Sequence, residues 1–303
     1  MNILVTGITG TVGCALAARL LADGHTVRGM SRREGDERGA LEVVKADAVS
    51  GVGLHRALAG IDLAYFLIHS MEPPTDSRFD LRERAAAENF ARAARATGVG
   101  RIIYLGGPSP TDGSASTHLA SRLAVEKILL AAVPCSVAFR ASIVIGSRSR
   151  SFRFLVRLVE RMPVLVVPAW RTRRTSPVDQ RDVIALLARA ATSDRVCGRS
   201  LDAAGPEVVS YGELLDRIRD HMLVSRPTIG LPLTLTPIAS RISALIAGEQ
   251  HALIGPLMES LQSDLLPRDD RAAELLGVRL HSLDAAIERA LREWEMTEPL
   301  AAR

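Results

Sequence analysis

Short apolar runs alternate with segments of helical periodicity over the first 146 residues. Apolar runs bounded by glycine or polar residues predict buried strands, and apolar residues recurring every three to four positions predict helices. The predicted strands are 2–5, 26–30, 41–45, 63–68, 101–105 and a sixth formed by 136–140 with 143–145, and the predicted helices are 12–22, 78–97 and 118–132. Because parallel strands need crossover connections, this alternation predicts an α/β fold with a doubly wound parallel sheet of Rossmann type.

The pattern changes after Gly146. Residues 147–176 are rich in arginine, and residues 177–178 with 182–191 are typical of another strand and helix returning to the sheet. The chain beyond residue 206 is mostly helical in pattern, with predicted helices at 211–223, 238–247, 257–263, 269–276 and 283–294. We therefore expect a first domain of 1–146 plus 177–204, and a smaller, mainly helical domain of 147–176 plus 205–303.

Composition narrows the class of protein. A chain of 303 residues with 47% hydrophobic residues can bury a sizeable core, which excludes a disordered protein or a disulfide-stapled small domain. Lysine occurs only at Lys45 and Lys127 among 38 basic residues, which is typical of a GC-rich, bacterial genome. A net charge of +4 over this length does not indicate a nucleic-acid partner.

Targeting signals and cysteine usage point to the cytoplasm. The first residues lack the pattern of a secretory signal, and prolines and Arg241 interrupt the most apolar later stretch at 227–248, so no membrane span is expected. The cysteines at 14, 135 and 197 are odd in number and widely scattered. This spacing is typical of a protein from a reducing compartment, and it predicts no metal site.

The strongest chemical signal is the glycine-rich segment at residues 7–13, between the first predicted strand and the first helix. In such a segment Gly7 permits a tight turn, Gly10 lets the backbone approach a pyrophosphate, and Gly13 lets the helix pack on the strand. The helix N-terminus then presents free N–H groups and a positive dipole to the phosphates. The alternative is an ordinary glycine-rich turn.

The end of the second strand indicates which dinucleotide is bound. An acidic residue there would bind the ribose hydroxyls of NAD, but this chain has Ser31, Arg32 and Arg33. Arginines suit the 2′-phosphate of NADP through charge-assisted hydrogen bonds, although they could also be solvated loop charges. Asp47 follows the third strand and is either an adenine contact or a turn aspartate.

The spacing Thr6-Gly7-x-Thr9-Gly10-x-x-Gly13 resembles the short-chain dehydrogenase/reductase superfamily in its extended and atypical branches. Further landmarks are similar along almost the whole chain, including 66–71 after the fourth strand, 104–107 at the fifth, and 198–211. The strand ends at 67–71 and 105–107 resemble a bacterial, NmrA-like, NAD(P)H-binding subgroup. The candidate cofactor-binding residues are Gly7, Thr9, Gly10, Thr11, Val12, Gly13, Arg32, Arg33, Asp47, Leu67, Ile68, His69, Gly106, Gly107, Arg122 and Ile143.

The resemblance fails at the catalytic residues. Active members of the superfamily carry a serine after the fifth strand and a Tyr-x-x-x-Lys on the next helix. Aligned by Glu126, the lysine position holds Arg122 and the tyrosine position holds His118, while the serine position falls at 106–107 or is met by Ser109. Asn89 is retained. We expect His118 either to donate the proton in place of tyrosine, beside Arg122, or simply to cap its helix.

The arginine-rich insertion supplies the candidate substrate residues. Trp170 and Arg171 lie in the part of the chain that forms a wall of the substrate pocket in the superfamily. Apolar residues at 227–247 would complete an apolar pocket with a basic rim. The same apolar residues are alternatively domain core or the face of a homodimer.

Three functions of different class follow from these residues. The first is an NADP(H)-dependent oxidoreductase that transfers hydride to a small apolar carbonyl, quinone or enone substrate. The second is a catalytically silent NADP(H)-binding sensor, and a sugar-nucleotide epimerase ranks last because such enzymes use the tyrosine.

Overall fold

A computed structural model of the chain describes residues 1–33, 41–68, 79–108, 117–162, 165–167, 169–230 and 263–300. Its centre is a seven-stranded, wholly parallel sheet. The sheet strands are β1 (Asn2–Thr6), β2 (Thr26–Ser31), β3 (Glu42–Lys45), β4 (Leu63–Phe66), β5 (Arg101–Gly106), β6 (Cys135–Arg140) and β11 (Ser200–Asp202). The predicted doubly wound α/β fold is thereby confirmed.

Helices lie between these strands and beyond the last of them. They are α1 (Thr11–Ala22), α2 (Leu54–Leu58), α3 (Phe79–Thr97), α4 (Thr117–Leu130), α5 (Arg150–Arg161), α6 (Gln180–Ala190), α7 (Tyr211–His221), α8 (Ala272–Leu276) and α9 (Leu283–Glu295). In α3, for example, alanines and Phe90 recur at helical spacing and are buried against the sheet, where the rings of Phe90 and Phe66 meet edge to face at 5.0 Å. The predicted helices at 238–247 and 257–263 fall outside the described residues, apart from Ser263.

The strand order is β11-β6-β5-β4-β1-β2-β3. The chain therefore starts in the middle of the sheet, builds outward to β3, and then returns to add β4, β5 and β6 on the other side of β1. Because all neighbours are parallel, the carboxyl ends of β1, β2, β4 and β5 meet at one edge. That edge, beside the reversal of strand order at β1, is where ligands bind in open parallel α/β sheets.

Two short strands differ from the sequence prediction. The stretch expected to extend the sixth strand is separate: β7 (Val144–Ile145) pairs only with β10 (Val178–Asp179). The last ladder bond between β5 and β6 joins the Ala141 amide to the Gly106 carbonyl oxygen, and β7 beyond it lies outside the main sheet. The strand that returns to the main sheet is β11 and not residues 177–178.

Four further short strands lie outside the main sheet. They are β8 (Leu165–Val167), β9 (Arg174–Thr175), β12 (Val209–Ser210) and, paired with β8, β13 (Thr228–Gly230). A separate apolar cluster is formed by buried residues of 143–170, 209–222 and 283–300, with Trp294 fully buried below the guanidinium groups of Arg153 and Arg157. The helix α8 packs instead with the sheet. The proposed division into two domains stays a prediction.

One pair of cysteines departs from the sequence interpretation. Cys135, at the start of β6, and Cys197, just before β11, are joined by a disulfide, whereas Cys14 is free of one. The spacing of the cysteines in the sequence therefore did not predict this disulfide, because the pairing of β6 with β11 brings together residues 62 positions apart. Within the described ranges no helix combines the length and the apolar character needed to cross a bilayer.

Candidate functional site

The glycine turn between β1 and α1 is as tight as its sequence predicts. Gly7 has a φ of +65°, in the left-handed region that glycine adopts without strain. The Gly10 amide donates to the Gly7 carbonyl oxygen at 2.9 Å and closes the turn. A Cβ on Gly13 would lie 2.3 Å from that same oxygen, so only glycine lets the first turn of α1 rest on the loop. A Cβ on Gly10 would also lie 3.1 Å from that oxygen, so all three glycines have a local geometric reason.

The N-terminus of α1 is open to an anion. Gly10 is its N-cap, and no side chain caps this end. Thr9 and Gly10 are exposed, whereas Thr11 and Val12 are half-buried. Backbone N–H groups at a helix start, with the helix dipole behind them, bind phosphate. Any side chain larger than hydrogen at these glycines would fill the space over the turn. The open space fits the pyrophosphate of a dinucleotide.

The floor of this turn is supplied by the end of β4. The buried Thr6 hydroxyl accepts a hydrogen bond from the Leu67 amide at 2.9 Å. A Cβ on Gly7 would lie 2.8 Å from the Leu67 carbonyl oxygen, so the two strand ends are in close contact. Leu67 and Ile68 therefore lie beside the glycine turn, as expected of cofactor neighbours, whereas His69 lies outside the described residues.

The predicted 2′-phosphate residues lie on the neighbouring strand end. Arg32 and Arg33 directly follow β2, which pairs with β1 so that Met30 stands opposite Thr6. Both arginine side chains are exposed. The Ser31 hydroxyl accepts from the Arg33 amide at 3.1 Å, which bends the chain at this point. The sheet thus brings two cations to the edge that carries the glycine turn.

Asp47 acts as a turn aspartate in this structure. Its carboxylate accepts from the Val49 amide at 3.0 Å and from the Ser50 hydroxyl at 2.9 Å, and so closes the loop after β3. Asn89, predicted to be catalytic, fixes the same loop: its side-chain amide donates to the carbonyl oxygens of Ala48 and Val49 at 3.1 and 2.8 Å. These contacts give both residues a structural role at the end of β3.

The end of β5 meets the first turns of α4. A Cβ on Gly107 would lie 3.7 Å from Cγ of Arg122, so the arginine side chain passes beside this strand end. Arg122 is buried, and its guanidinium is paired with the buried Glu83 carboxylate of α3 at 3.2 Å. The Ser121 hydroxyl donates to the other carboxylate oxygen of Glu83 at 2.8 Å. The predicted active-site cation is therefore held in place by an ion pair.

A buried phenol lies next to this pair. The ring of Tyr104 covers Gly106, where a Cβ would come within 2.6 Å of the ring. Burial raises the pKa of Tyr104 to about 12, although the Arg122 guanidinium opposes the shift. The phenol is accordingly protonated at neutral pH and 1% exposed, so it does not replace the missing tyrosine. His118 lies in the first turn of α4, four residues before Arg122, and its side chain is outside the described part of the chain.

The candidate substrate residues have different surroundings. Trp170 is buried in the helical cluster, with its ring edge to face against that of Tyr211 at 6.0 Å, as for a core residue. Arg171 is exposed. Ile143, from the cofactor set, is buried, and its carbonyl oxygen accepts from the Val178 amide. A contact of these residues with substrate or cofactor stays a prediction.

Three site residues escaped the sequence prediction. Thr6 supports the turn, Glu83 holds Arg122, and Arg148 comes close to α1 because the Thr11 hydroxyl donates to its carbonyl oxygen at 3.1 Å. Two of them carried a signal. Thr6 is the first residue of the glycine motif, and Glu83 lies three residues before Ala86 and so belongs to the apolar stripe of α3, where a lone carboxylate indicates a buried partner. The contact between Thr11 and Arg148 spans 137 positions and has no local signature.

Comparisons with known proteins agree with this geometry. A family model described as NAD(P)H-binding matches residues 7–131. A ceramide reductase of Caulobacter vibrioides is 26% identical over 281 residues, which cover 90% of this chain and 88% of that protein. The (4-alkanoyl-5-oxo-2,5-dihydrofuran-3-yl)methyl phosphate reductase of Streptomyces griseus is 31% identical over 219 residues, 70% of each protein.

A solved structure shows the same fold. UDP-glucuronic acid 4-epimerase of Bacillus cereus, in complex with UDP-glucuronic acid and NAD, is similar with a TM-score of 0.73. The match covers 98% of this chain and 100% of that one at 16% identity. At this identity the likeness concerns the fold alone.

Proposed function

Because the chain belongs to the NAD(P)H-binding short-chain dehydrogenase/reductase superfamily, we propose that it is an NADP(H)-dependent oxidoreductase. Its substrate in this proposal is an apolar carbonyl, quinone or enone. The observation that carries the choice of cofactor is the end of β2, where Arg32 and Arg33 stand in place of an acid. Two exposed guanidinium groups beside the glycine turn favour a 2′-phosphate and offer no acceptor for ribose hydroxyls.

The names of the two relatives support the substrate class. One is named a reductase of a ceramide, and the other a reductase of an alkanoyl-substituted oxo-dihydrofuran. Both named substrates join a carbonyl group to hydrocarbon. By analogy, we propose for this chain a substrate that also combines a reducible polar group with an apolar body.

The chain's own residues divide the work as follows. NADPH, when bound, supplies the hydride. The N–H groups at the start of α1 bind its pyrophosphate, and Arg32 with Arg33 binds its 2′-phosphate. Arg122, held by Glu83, places positive charge beside the end of β5, where an oxyanion would be stabilised. His118 lies one helical turn earlier on the same face of α4 and donates the proton.

A turnover assay tests the proposal. Purified protein is mixed with NADPH and a panel of quinones, enones and alkyl ketones, and NADPH absorbance is followed. We expect oxidation of NADPH with at least one member, and NADPH fluorescence shifts that indicate micromolar binding. Binding without turnover over the whole panel would support the sensor instead, and no binding of either nucleotide would overturn both functions.

Replacing both Arg32 and Arg33 by alanine is expected to remove the preference for NADPH. Each charge-assisted hydrogen bond to phosphate contributes about 1.5–3 kcal/mol, so the Kd for NADPH should rise roughly tenfold or more, with that for NADH nearly unchanged. Calorimetric titration with both nucleotides measures this. The matched control replaces Arg92 and Arg95 of α3, which changes the net charge equally away from the glycine turn. Unaltered selectivity in the first variant would remove the arginines from the cofactor site.

The second candidate is a catalytically silent NADP(H)-binding protein. Two observations favour it: Arg122 is paired with a buried carboxylate, and the phenol of Tyr104 beside it is buried and protonated. In that case His118 would only cap its helix. The two candidates share the cofactor and differ only in turnover, which the assay above decides.

A further inference from the structure

The disulfide lies at the edge of the sheet opposite to the proposed cofactor site. Cys135 is the first residue of β6, and Cys197 precedes β11, so both sulfur atoms are near the amino ends of the strands. Both cysteines are half-buried, which leaves the bond within reach of small solutes. Nothing in the proposed oxidoreductase function uses this pair.

A single arginine organises the surroundings of the pair. Arg101 stands opposite Cys135 in the pairing of β5 with β6. Its guanidinium donates to the carbonyl oxygens of Ala190 and Ala191, both at 2.8 Å, and is paired with the Asp194 carboxylate. It also reaches Sγ of Cys197 at 3.6 Å.

These contacts distinguish the two sulfur atoms. A guanidinium beside a sulfur stabilises its thiolate, the form that attacks disulfides and that leaves most readily. Only Cys197 has such a contact in the described part of the chain. The Asp194 carboxylate, at 3.9 Å from the same sulfur, opposes this effect, but it does so more weakly because it is farther from the sulfur than the guanidinium and, at 90% exposed, is screened by solvent.

We propose that Cys135 and Cys197 form a reversible thiol–disulfide site that exchanges with low-molecular-weight disulfides, with Cys197 as the reacting sulfur. This goes beyond the proposed oxidoreductase function. In the oxidising direction the Cys197 thiolate attacks a small disulfide RSSR, forming a mixed disulfide and releasing RS⁻. The Cys135 thiolate then attacks Sγ of Cys197 and releases the second RS⁻. Two protein thiols are oxidised, RSSR is reduced to two RSH, and the two thiol protons balance the products.

Whether the disulfide is oxidised or reduced is expected to affect the stability of the sheet edge at β11. The bond joins β6 to the turn before β11, and β11 is the last strand on that side. A covalent link across 62 positions restricts the unfolded chain and so stabilises the fold. Reduction is therefore expected to lower the unfolding midpoint by several degrees, and to free the β11 edge first.

Thiol counting tests the site with oxidised and reduced glutathione as the probes. The folded protein incubated with oxidised glutathione should contain one free thiol, that of Cys14, and its intact mass should be lower by two hydrogens. Incubation with reduced glutathione should restore three thiols and lower the unfolding midpoint. Three thiols in both conditions, in protein with an unchanged circular dichroism spectrum, would overturn the proposal. A stoichiometric zinc ion that blocks both thiols, held with Asp194, would overturn it as well.

Trapping variants test which sulfur reacts. In Cys135→Ser, oxidised glutathione should add one glutathionyl group at Cys197 several times faster than it adds one at Cys135 in Cys197→Ser. Arg101→Gln in the Cys135→Ser background should slow that addition severalfold, whereas Arg95→Gln, which removes an arginine bonded to the Ala132 carbonyl oxygen, should not. If Arg101→Gln does not fold, Asp194→Asn supplies the test, because removing the opposing carboxylate should speed the addition. Equal rates at the two cysteines would contradict the assignment of Cys197.

Discussion

Replacing His118 by alanine is expected to lower kcat for NADPH oxidation by roughly 10²–10⁴-fold, the range that general acid catalysis contributes. The reason is its position: His118 lies in the first turn of α4, one turn before Arg122, at the carboxyl edge of the sheet. An imidazole titrates near neutral pH and passes a proton without large adjustment by its surroundings. Steady-state kinetics with the best substrate of the panel measure the effect.

The control for this variant is another histidine. His55 is exposed on α2, and His55→Ala should leave kcat unchanged. The Kd for NADPH should also stay the same in His118→Ala, since the loss concerns proton transfer and not cofactor binding. An unchanged kcat in His118→Ala would exclude the imidazole from the reaction and would favour its role as a helix cap.

The second large effect is expected on stability. Glu83→Gln breaks the buried pair with Arg122 by removing the carboxylate charge, and breaking a buried pair on one side costs about 3–5 kcal/mol of the free energy of unfolding. Urea denaturation followed by circular dichroism measures the loss. The matched control is Glu88→Gln on the same helix: Glu88 is paired with Arg84 at the surface, so its loss should cost no more than about 1 kcal/mol.

A double variant separates the ion pair from simple packing. Replacing Glu83 by leucine and Arg122 by methionine removes both charges at similar volume, and should restore much of the stability lost in Glu83→Leu alone. The double variant should nevertheless be inactive if Arg122 stabilises an oxyanion. If the double variant lost as much stability as Glu83→Leu and Arg122→Met together, the two side chains would not be energetically coupled.

The glycine turn illustrates what local sequence can specify. The positive φ of Gly7 and the close approach of Gly13 to the Gly7 carbonyl oxygen are conditions that only glycine meets, so the residue types and their spacing predict the turn. The sheet was predictable for a similar reason, since apolar runs separated by helical segments leave parallel pairing as the simple solution. The exact strand boundaries were not predictable: β7 is separate from β6 and pairs with β10, and no local pattern encodes a pairing between segments so distant in the sequence.

In the candidate site, too, the positions of residues were predictable from the sequence, whereas the partners of their side chains were not. Arg32 and Arg33 are at the expected strand end because the strand and its neighbour were both predicted correctly. Asp47 was predicted to be an adenine contact or a turn aspartate, and Asn89 a catalytic residue, and in the structure both hold the loop after β3. A polar side chain takes the partner that folding brings to it, and the sequence alone does not name that partner.

The residue order by itself determined the alternating elements, the glycine cradle and the basic end of the second strand, because each depends on neighbours within a few positions. Tertiary structure alone decided that Arg122 is bound to Glu83, that Cys135 is joined to Cys197, and that Trp170 is core. These outcomes depend on contacts between distant segments, and such contacts exist only after strands pair and helices pack.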